Sequence, residues 1–161
     1  MLKQVYIKDN VRDAAEKRIS YIFDEFENII VSISGGKDST VLCWMVLQEA
    51  RIRIRKIGIF FLDEEVVYQS TIEQVTWLMN LYPENTTRIW FQFPFKLTNA
   101  TSLSESQLIC WEEGKHEIWM RPKVPYSIKN IPWNRDTQTI RDKNKGFRFY
   151  DVIDNFQASR K

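Results

Sequence analysis

A short apolar run that ends in a glycine turn, followed at once by a helical pattern, constrains the fold of this chain most. The apolar run covers 29–33, the turn reads Ser34-Gly35-Gly36-Lys37-Asp38-Ser39, and apolar residues recur at helical spacing over 40–50. Only residues without a Cβ enter left-handed backbone conformations at little cost, so the two glycines allow a sharp turn. The pattern predicts a buried strand, a tight turn and the N-terminus of a helix.

Strand-like and helix-like segments alternate on both sides of this turn. A helix capped by Asp9 or Asn10 is predicted to run to about Phe26, and strands are predicted over 57–62 and 88–93 with a helix over 66–81 between them. Such alternation predicts an α/β fold with a mostly parallel sheet and helices on both faces, in three α/β/α layers. The length predicts one domain over 1–161.

Beyond Phe95 the periodicity is weaker. We predict a helix over 104–113, a short strand over 117–120, a loop-like stretch over 122–145 that contains three prolines, a strand over 147–150 and a helix over 151–159. The segment 121–148 is basic, with eight basic residues against two acidic ones. This charge is compatible with binding to a phosphosulfate, a nucleic acid or an acidic partner, and it is equally compatible with a solvated surface that binds nothing.

The turn at 34–39 has the chemistry of an anion site. Backbone N–H groups at a helix N-terminus point outward, and the helix dipole favours negative charge there. Lys37 adds an ammonium group, and Ser34 and Ser39 add hydroxyl donors. Asp38 fits beside phosphates if it holds a magnesium ion that bridges to their oxygens. The turn is not a Walker A loop, because Val31 stands where that motif has its first glycine.

The Ser-Gly-Gly-Lys-Asp-Ser turn resembles the pyrophosphate (PP) loop of the adenine nucleotide α-hydrolase superfamily, in its phosphoadenylylsulfate (PAPS) reductase-like branch. The segments 5–11, 60–65 and 97–102 resemble the same group of bacterial and phage proteins. The resemblance implies a Rossmann-like PP-loop domain that binds ATP or PAPS with Mg²⁺. It implies phosphate binding by the loop residues Ser34, Gly35, Gly36, Lys37 and Ser39. It also implies catalytic roles for Lys37 and Asp38, with Asp38 as the metal ligand.

The resemblance leaves the chemistry open between two classes. The Glu-Cys-Gly-x-His string of PAPS reductases and the cysteine pairs of an iron–sulfur cluster do not occur in this sequence, which argues against sulfonucleotide reduction. The chain would then cleave ATP to AMP and pyrophosphate and adenylate an acceptor. Alternatively it would bind a nucleotide without turnover, as a regulator or subunit. One group of these relatives has been proposed to act beside a ParB-like partner.

Two polar clusters follow predicted strands. Because ligands of parallel sheets bind beyond the carboxyl ends of the strands, Ser34, Asp63 and the segment after Phe93 are expected to converge. The acidic group at 63–65 has two interpretations: it caps the first turn of a helix, or Asp63 lies near the ribose or the magnesium ion of a bound nucleotide. The cluster at 98–102 suits either a helix cap or donors for the far end of the nucleotide.

Cysteine and tryptophan residues allow further interpretations. Cys43 is predicted to pack in the core, whereas Cys110 is either a packed thiol or a nucleophile near His116. Trp44 and Trp77 are predicted core residues, and the remaining tryptophans of the central and C-terminal regions suit base stacking or packing (Trp90, Trp111, Trp119 and Trp133).

The sequence contains no apolar run near the ~20 residues of a membrane span, and its first residues are not expected to act as a secretory signal, because no apolar segment follows them. Its two cysteines form no CxxC motif, so a cytoplasmic protein without membrane contact is expected. A homodimer is a further expectation.

Overall fold

The structure is a computed structural model that describes residues 8–99, 103–105 and 107–129, and its architecture is α/β. A three-stranded parallel sheet has the order β1-β2-β3, with β1 at Ile30–Ser32, β2 at Ile57–Leu62 and β3 at Thr86–Phe91. Three helices alternate with these strands: α1 at Val11–Glu25, α2 at Lys37–Ile52 and α3 at Gln69–Asn80. The predicted α/β class is therefore confirmed.

The chain divides into two compact units. The first contains the described residues up to Phe61 together with Gln69–Arg88, and the second contains Leu62–Tyr68 together with the described residues from Ile89 onward. The first unit therefore holds the three helices and the glycine turn. The prediction of a single domain stays a prediction.

Helix α1 is capped at both ends by side chains. Asn10 is the N-cap, and its Oδ1 accepts a hydrogen bond from the Asp13 N–H at 2.9 Å, as the sequence predicts. At the other end the Arg55 guanidinium donates to the carbonyl oxygens of Phe23 and Phe26, both at 2.6 Å. These contacts satisfy carbonyl groups that have no partner inside the helix.

The central strand β2 carries the core of the sheet. All six of its residues are buried, and it pairs in parallel with β1, where Val31 lies opposite Ile59. In β1 only Val31 is buried, while Ile30 and Ser32 are exposed. The prediction that the 29–33 strand is buried on both faces is therefore wrong, because burial alternates along Ile30–Ile33 and one face of the strand is open among the described residues.

Two predictions about the helices also need correction. Helix α3 begins at Gln69 rather than at residue 66, because the N–H groups of Val66 and Val67 donate to carbonyls only two residues back, in tight turns that are not helical. Trp44 and Trp77 are not core residues, since they are 45% and 49% exposed. The buried face of α2 consists instead of Cys43, Val46, Leu47 and Ala50.

The second unit contains a small antiparallel sheet. Strand β4 (Phe95–Thr98) pairs with β5 (Gln107–Cys110), so that Phe95 faces Cys110. The helix predicted over 104–113 is therefore wrong: this segment pairs across strands, which a local periodicity does not reveal. The strand predicted over 117–120 is also wrong, because His116–Ile118 forms a 3₁₀ turn. The strand and helix predicted over 147–150 and 151–159 lie outside the described residues.

Residues after Pro122 attach to the far edge of β3. The Ile128 N–H donates to the Trp90 carbonyl at 2.7 Å, and the Gln92 N–H donates to the Ile128 carbonyl at 3.1 Å. Phe91 and Ile128 thereby form a parallel bridge. The described part of the predicted loop-like stretch thus includes one strand-like contact.

Candidate functional site

The turn between β1 and α2 has the backbone geometry that the glycines predict. Gly35 has φ +77°, in the left-handed region, and Gly36 is the extended N-cap residue of α2. A Cβ on Gly35 would lie 2.7 Å from Thr71 Cγ2 and 3.2 Å from Val75 Cγ2. Both the conformation and the close approach of α3 therefore require glycine at position 35.

Hydroxyl groups inside the turn hold its shape. Ser34 Oγ and Ser39 Oγ are 3.1 Å apart, and Ser39 Oγ also donates to the Gly36 carbonyl at 3.0 Å. Thr40 Oγ1 donates to the same carbonyl at 2.8 Å. The two serines that the sequence predicts as phosphate donors thus lie together, and their present contacts are to each other and to the loop backbone.

The N-terminus of α2 is open. Gly36 provides no side-chain cap, and among the residues that the structure describes the N–H groups of the first helical turn have no hydrogen-bond acceptor. Lys37 and Asp38 are exposed, and within the described residues their side chains have no hydrogen bond or ion pair. The turn therefore presents unpaired donors, one cation and one carboxylate at the same helix end.

Asp63 has a different environment from the loop residues. Its side chain is fully buried. One oxygen accepts from Trp90 Nε1 at 3.0 Å and Gln92 Nε2 at 2.8 Å, and the other accepts from the Glu65 N–H at 2.9 Å and forms an ion pair with Arg121. Four protein donors thus occupy this carboxylate.

Sequence reasoning missed the partners of the 63–65 turn. Trp111 is fully buried, donates from Nε1 to the Asp63 carbonyl at 2.7 Å, and donates from its backbone N–H to Glu65 Oε2 at 2.5 Å. Arg121 donates to the Glu65 carbonyl at 2.6 Å. Glu65 and Trp111 both have positive φ, 60° and 52°, so two strained residues stabilise each other. No local motif signals these long-range pairs.

The acidic group 63–65 does not begin a helix, because α3 starts four residues later. The helix-cap interpretation of this group is therefore wrong. The ribose or metal role of Asp63 stays a prediction, and so does its convergence with the loop, since the loop lies in the first unit and Asp63 in the second.

Both cysteines are buried free thiols, as predicted for Cys43. Burial raises the pKa of Cys43 to about 11. Burial, reinforced by the carboxylates of Glu65, Glu64 and Asp63, raises the pKa of Cys110 to about 12, and its Sγ donates to the Glu64 carbonyl at 3.2 Å. These environments disfavour a thiolate, so the packing interpretation of Cys110 fits better than the nucleophile.

Part of the basic segment also has structural partners. Arg121 is committed to the 63–65 turn, and Lys123 Nζ lies 4.6 Å above the Trp119 ring, where burial lowers its pKa. Trp90 and Trp111 are fully buried, which excludes them as stacking platforms in this conformation. Residues 130–148 of the basic segment, Trp133 and the 100–102 part of the polar cluster lie outside the described residues.

The comparisons with known proteins give one distant relative. No family model and no solved structure matches this chain. The chain is similar to a protein of Escherichia coli (strain K12) described as "Uncharacterized protein YbdN", with 32% identity over 113 residues. The match covers 70% of this chain and 27% of that protein, so the chain spans little more than a quarter of its relative.

Two further findings concern metals and membranes. Within the ranges that the structure describes, no group of three or more His, Cys, Asp or Glu side chains is arranged to hold a metal ion. No helix among the same residues has the length and apolar character needed to cross a bilayer.

Proposed function

We propose that this chain binds an adenine nucleotide, ATP or phosphoadenylylsulfate, through the 34–39 turn as a PP-loop. The proposal includes a three-layer Rossmann-like fold of the adenine nucleotide α-hydrolase type. We propose adenine as the base because of the sequence resemblance, and we propose phosphate binding because of the residues and geometry of the turn. The cytoplasmic location, a homodimer and a ParB-like or nucleic-acid partner stay predictions.

The observation that carries the proposal is the open N-terminus of α2 beside Gly35. An uncapped helix end leaves several N–H groups without acceptors, and a phosphate oxygen satisfies them while interacting favourably with the helix dipole. Next to Gly35, Gly36 also lacks a side chain, and only Ser34 Oγ, at 3.5 Å, lies near the position of its Cβ, so a phosphate can approach the backbone there. Motif and geometry thus favour the same ligand class.

The exposed side chains of the turn have complementary roles in this proposal. Lys37 would offset the charge of the phosphates, and Asp38 would hold a magnesium ion that neutralises more of this charge. If the chain turns ATP over, Lys37 also stabilises the charge that develops on the pyrophosphate leaving group. If it does not, the same contacts make it a nucleotide-binding regulator or subunit.

Binding is tested by calorimetric titration of the full chain with ATP, phosphoadenylylsulfate and AMP, with and without Mg²⁺. We expect Lys37→Ala to weaken ATP binding by about tenfold, the usual order for one charge-assisted contact. Asp38→Ala is expected to remove the Mg²⁺ dependence. Pyrophosphate release from ATP, measured on the same samples, separates the adenylating enzyme from the binding protein.

Lys56→Ala is the matched control. Lys56 is exposed in the same unit, but it precedes β2, whereas the turn follows β1, so the two lie at opposite ends of parallel strands. Its replacement is expected to leave ATP binding unchanged. Absence of binding of all three nucleotides by the native chain, with or without Mg²⁺, contradicts the proposal.

A further inference from the structure

We infer that α3 completes the proposed phosphate site, with Thr71 fixing the loop backbone at Gly35 and Gln74 supplying a side-chain amide beside Thr40. The inference rests on the proposed function and adds two residues that the glycine motif does not contain. Both belong to the same unit as the turn.

Helix α3 packs directly against the turn. The position of a Cβ on Gly35 is 2.7 Å from the Thr71 methyl group and 3.2 Å from the Thr71 carbonyl oxygen, closer than side chains normally pack. Because closely packed atoms transmit displacements, a shift in the first turn of α3 is expected to shift the loop backbone as well. Thr71 is therefore a positioning residue for the loop.

Gln74 lies one helical turn beyond Thr71 and faces the same side of α3. Its Nε2 is 3.5 Å from Thr40 Oγ1, which in turn donates to the Gly36 carbonyl at 2.8 Å. A separation of 3.5 Å is at the limit of hydrogen bonding, so the amide is only weakly committed to Thr40. Within the described residues its side chain has no second partner, which leaves N–H capacity for an anion.

A charge placed at Gln74 therefore acts on the bound phosphates in proportion to their own charge. Gln74→Glu repels ATP more strongly than AMP, and Gln74→Lys attracts ATP more strongly than AMP. A residue that only supports the fold changes the affinity of both nucleotides by the same factor. The ratio of the two affinities is thus the readout that distinguishes the two roles.

The experiment measures dissociation constants for ATP and AMP at low ionic strength, with and without Mg²⁺. The variants are Gln74→Glu, Gln74→Lys and the uncharged Gln74→Met. We expect Gln74→Glu to lower the ATP-to-AMP affinity ratio by about fivefold and Gln74→Lys to raise it by a similar factor, as for charges several ångströms apart near a surface. Gln74→Met removes the amide donor without adding a charge, so it is expected to lower the ratio by a smaller factor of about three, the order of one hydrogen bond.

Gln48→Glu is the matched control, because Gln48 lies on α2 eleven residues after its start, about 16 Å from the turn. It introduces the same charge and is expected to change the ratio little. Thermal unfolding checks that each variant folds, and because the two charged variants predict opposite shifts, either one suffices for the test.

If the native chain binds ATP but the charged Gln74 variants have the same ATP-to-AMP affinity ratio as the native chain, the inference is overturned and the proposed function is left intact. A native chain that binds neither nucleotide overturns both.

Discussion

At the scale of single residues, Gly35 combines two constraints that can be separated by mutation. Gly35→Ala places a Cβ in the left-handed region and against Thr71, whereas Gly114→Ala meets the same conformational cost at φ +85° with open space around it. We expect Gly114→Ala to cost about 1 kcal/mol of unfolding free energy and Gly35→Ala about 2 kcal/mol or more. Urea unfolding of both variants measures the difference, and equal losses contradict the close contact with α3.

The two buried thiols give a prediction in terms of pH. Because the folded state holds the pKa of Cys43 near 11 and that of Cys110 near 12, against an ordinary value of 9.0, both stay protonated at neutral pH. Because the folded state disfavours the thiolate form of both cysteines, their contribution to the free energy of unfolding is complete below pH 9 and is lost as the pH rises toward 12.

We expect iodoacetamide to label both cysteines far more slowly in the native chain than in the urea-unfolded chain at pH 8. The variant Cys43→Ala isolates the reaction of Cys110. Labelling of Cys110 at the unfolded rate in the native chain contradicts its packed, hydrogen-bonded thiol.

Residue-level features were predictable where the chemistry is local. Asn10 accepts a hydrogen bond from a backbone N–H three residues away, and Gly35 takes a left-handed conformation itself. Each feature can therefore be predicted from a few adjacent residues. The ion pair of Asp63 with Arg121 joins residues 58 positions apart, and the sequence shows only an acid after a strand and a basic residue in a loop. Such pairing is decided by the tertiary fold.

At the scale of elements, predictions succeeded where the apolar pattern within one element is enough to specify it. β2 is apolar throughout and forms as predicted, and α1 shows helical periodicity from its cap onward. The predicted helix over 104–113 was wrong because β5 forms by pairing with β4, and the periodicity of 104–113 alone does not show this pairing. The late start of α3 follows from the tight turns at Val66 and Val67, which adjoin a Glu65 that is held by long-range contacts with Trp111 and Arg121.

The Asp63 ion pair links the end of β2 to β3 and to the segment after β5, so its loss is expected to weaken several elements together. Asp63→Asn keeps the side-chain shape but leaves the Arg121 guanidinium, whose side chain is 15% exposed, without a counter-charge. We expect a loss of about 3–5 kcal/mol of unfolding free energy, the usual cost of breaking a buried pair. Chemical denaturation of native and variant chains measures it.

Asp24→Asn is the control for this prediction. Asp24 also pairs with an arginine, Arg53, but its side chain is 59% exposed and Arg53 keeps a second partner in Glu49. Exposed pairs contribute about 1 kcal/mol or less. A small effect of Asp63→Asn on unfolding, together with a large effect on ATP binding, would assign Asp63 to the ligand instead.

At the scale of the whole molecule, the two units differ in how they place their tryptophans. In the described residues of the first unit, Trp44 and Trp77 are each about half exposed, whereas Trp90 and Trp111 of the second unit are fully buried and donate to Asp63. Water lengthens the emission wavelength of an indole, and a dissolved quencher such as acrylamide reaches exposed rings first. Intrinsic fluorescence of the described tryptophans therefore carries separable signals: a red-shifted, quenchable one from Trp44 and Trp77, and a blue-shifted, protected one from Trp90 and Trp111, with the partly exposed Trp119 of the second unit between these limits.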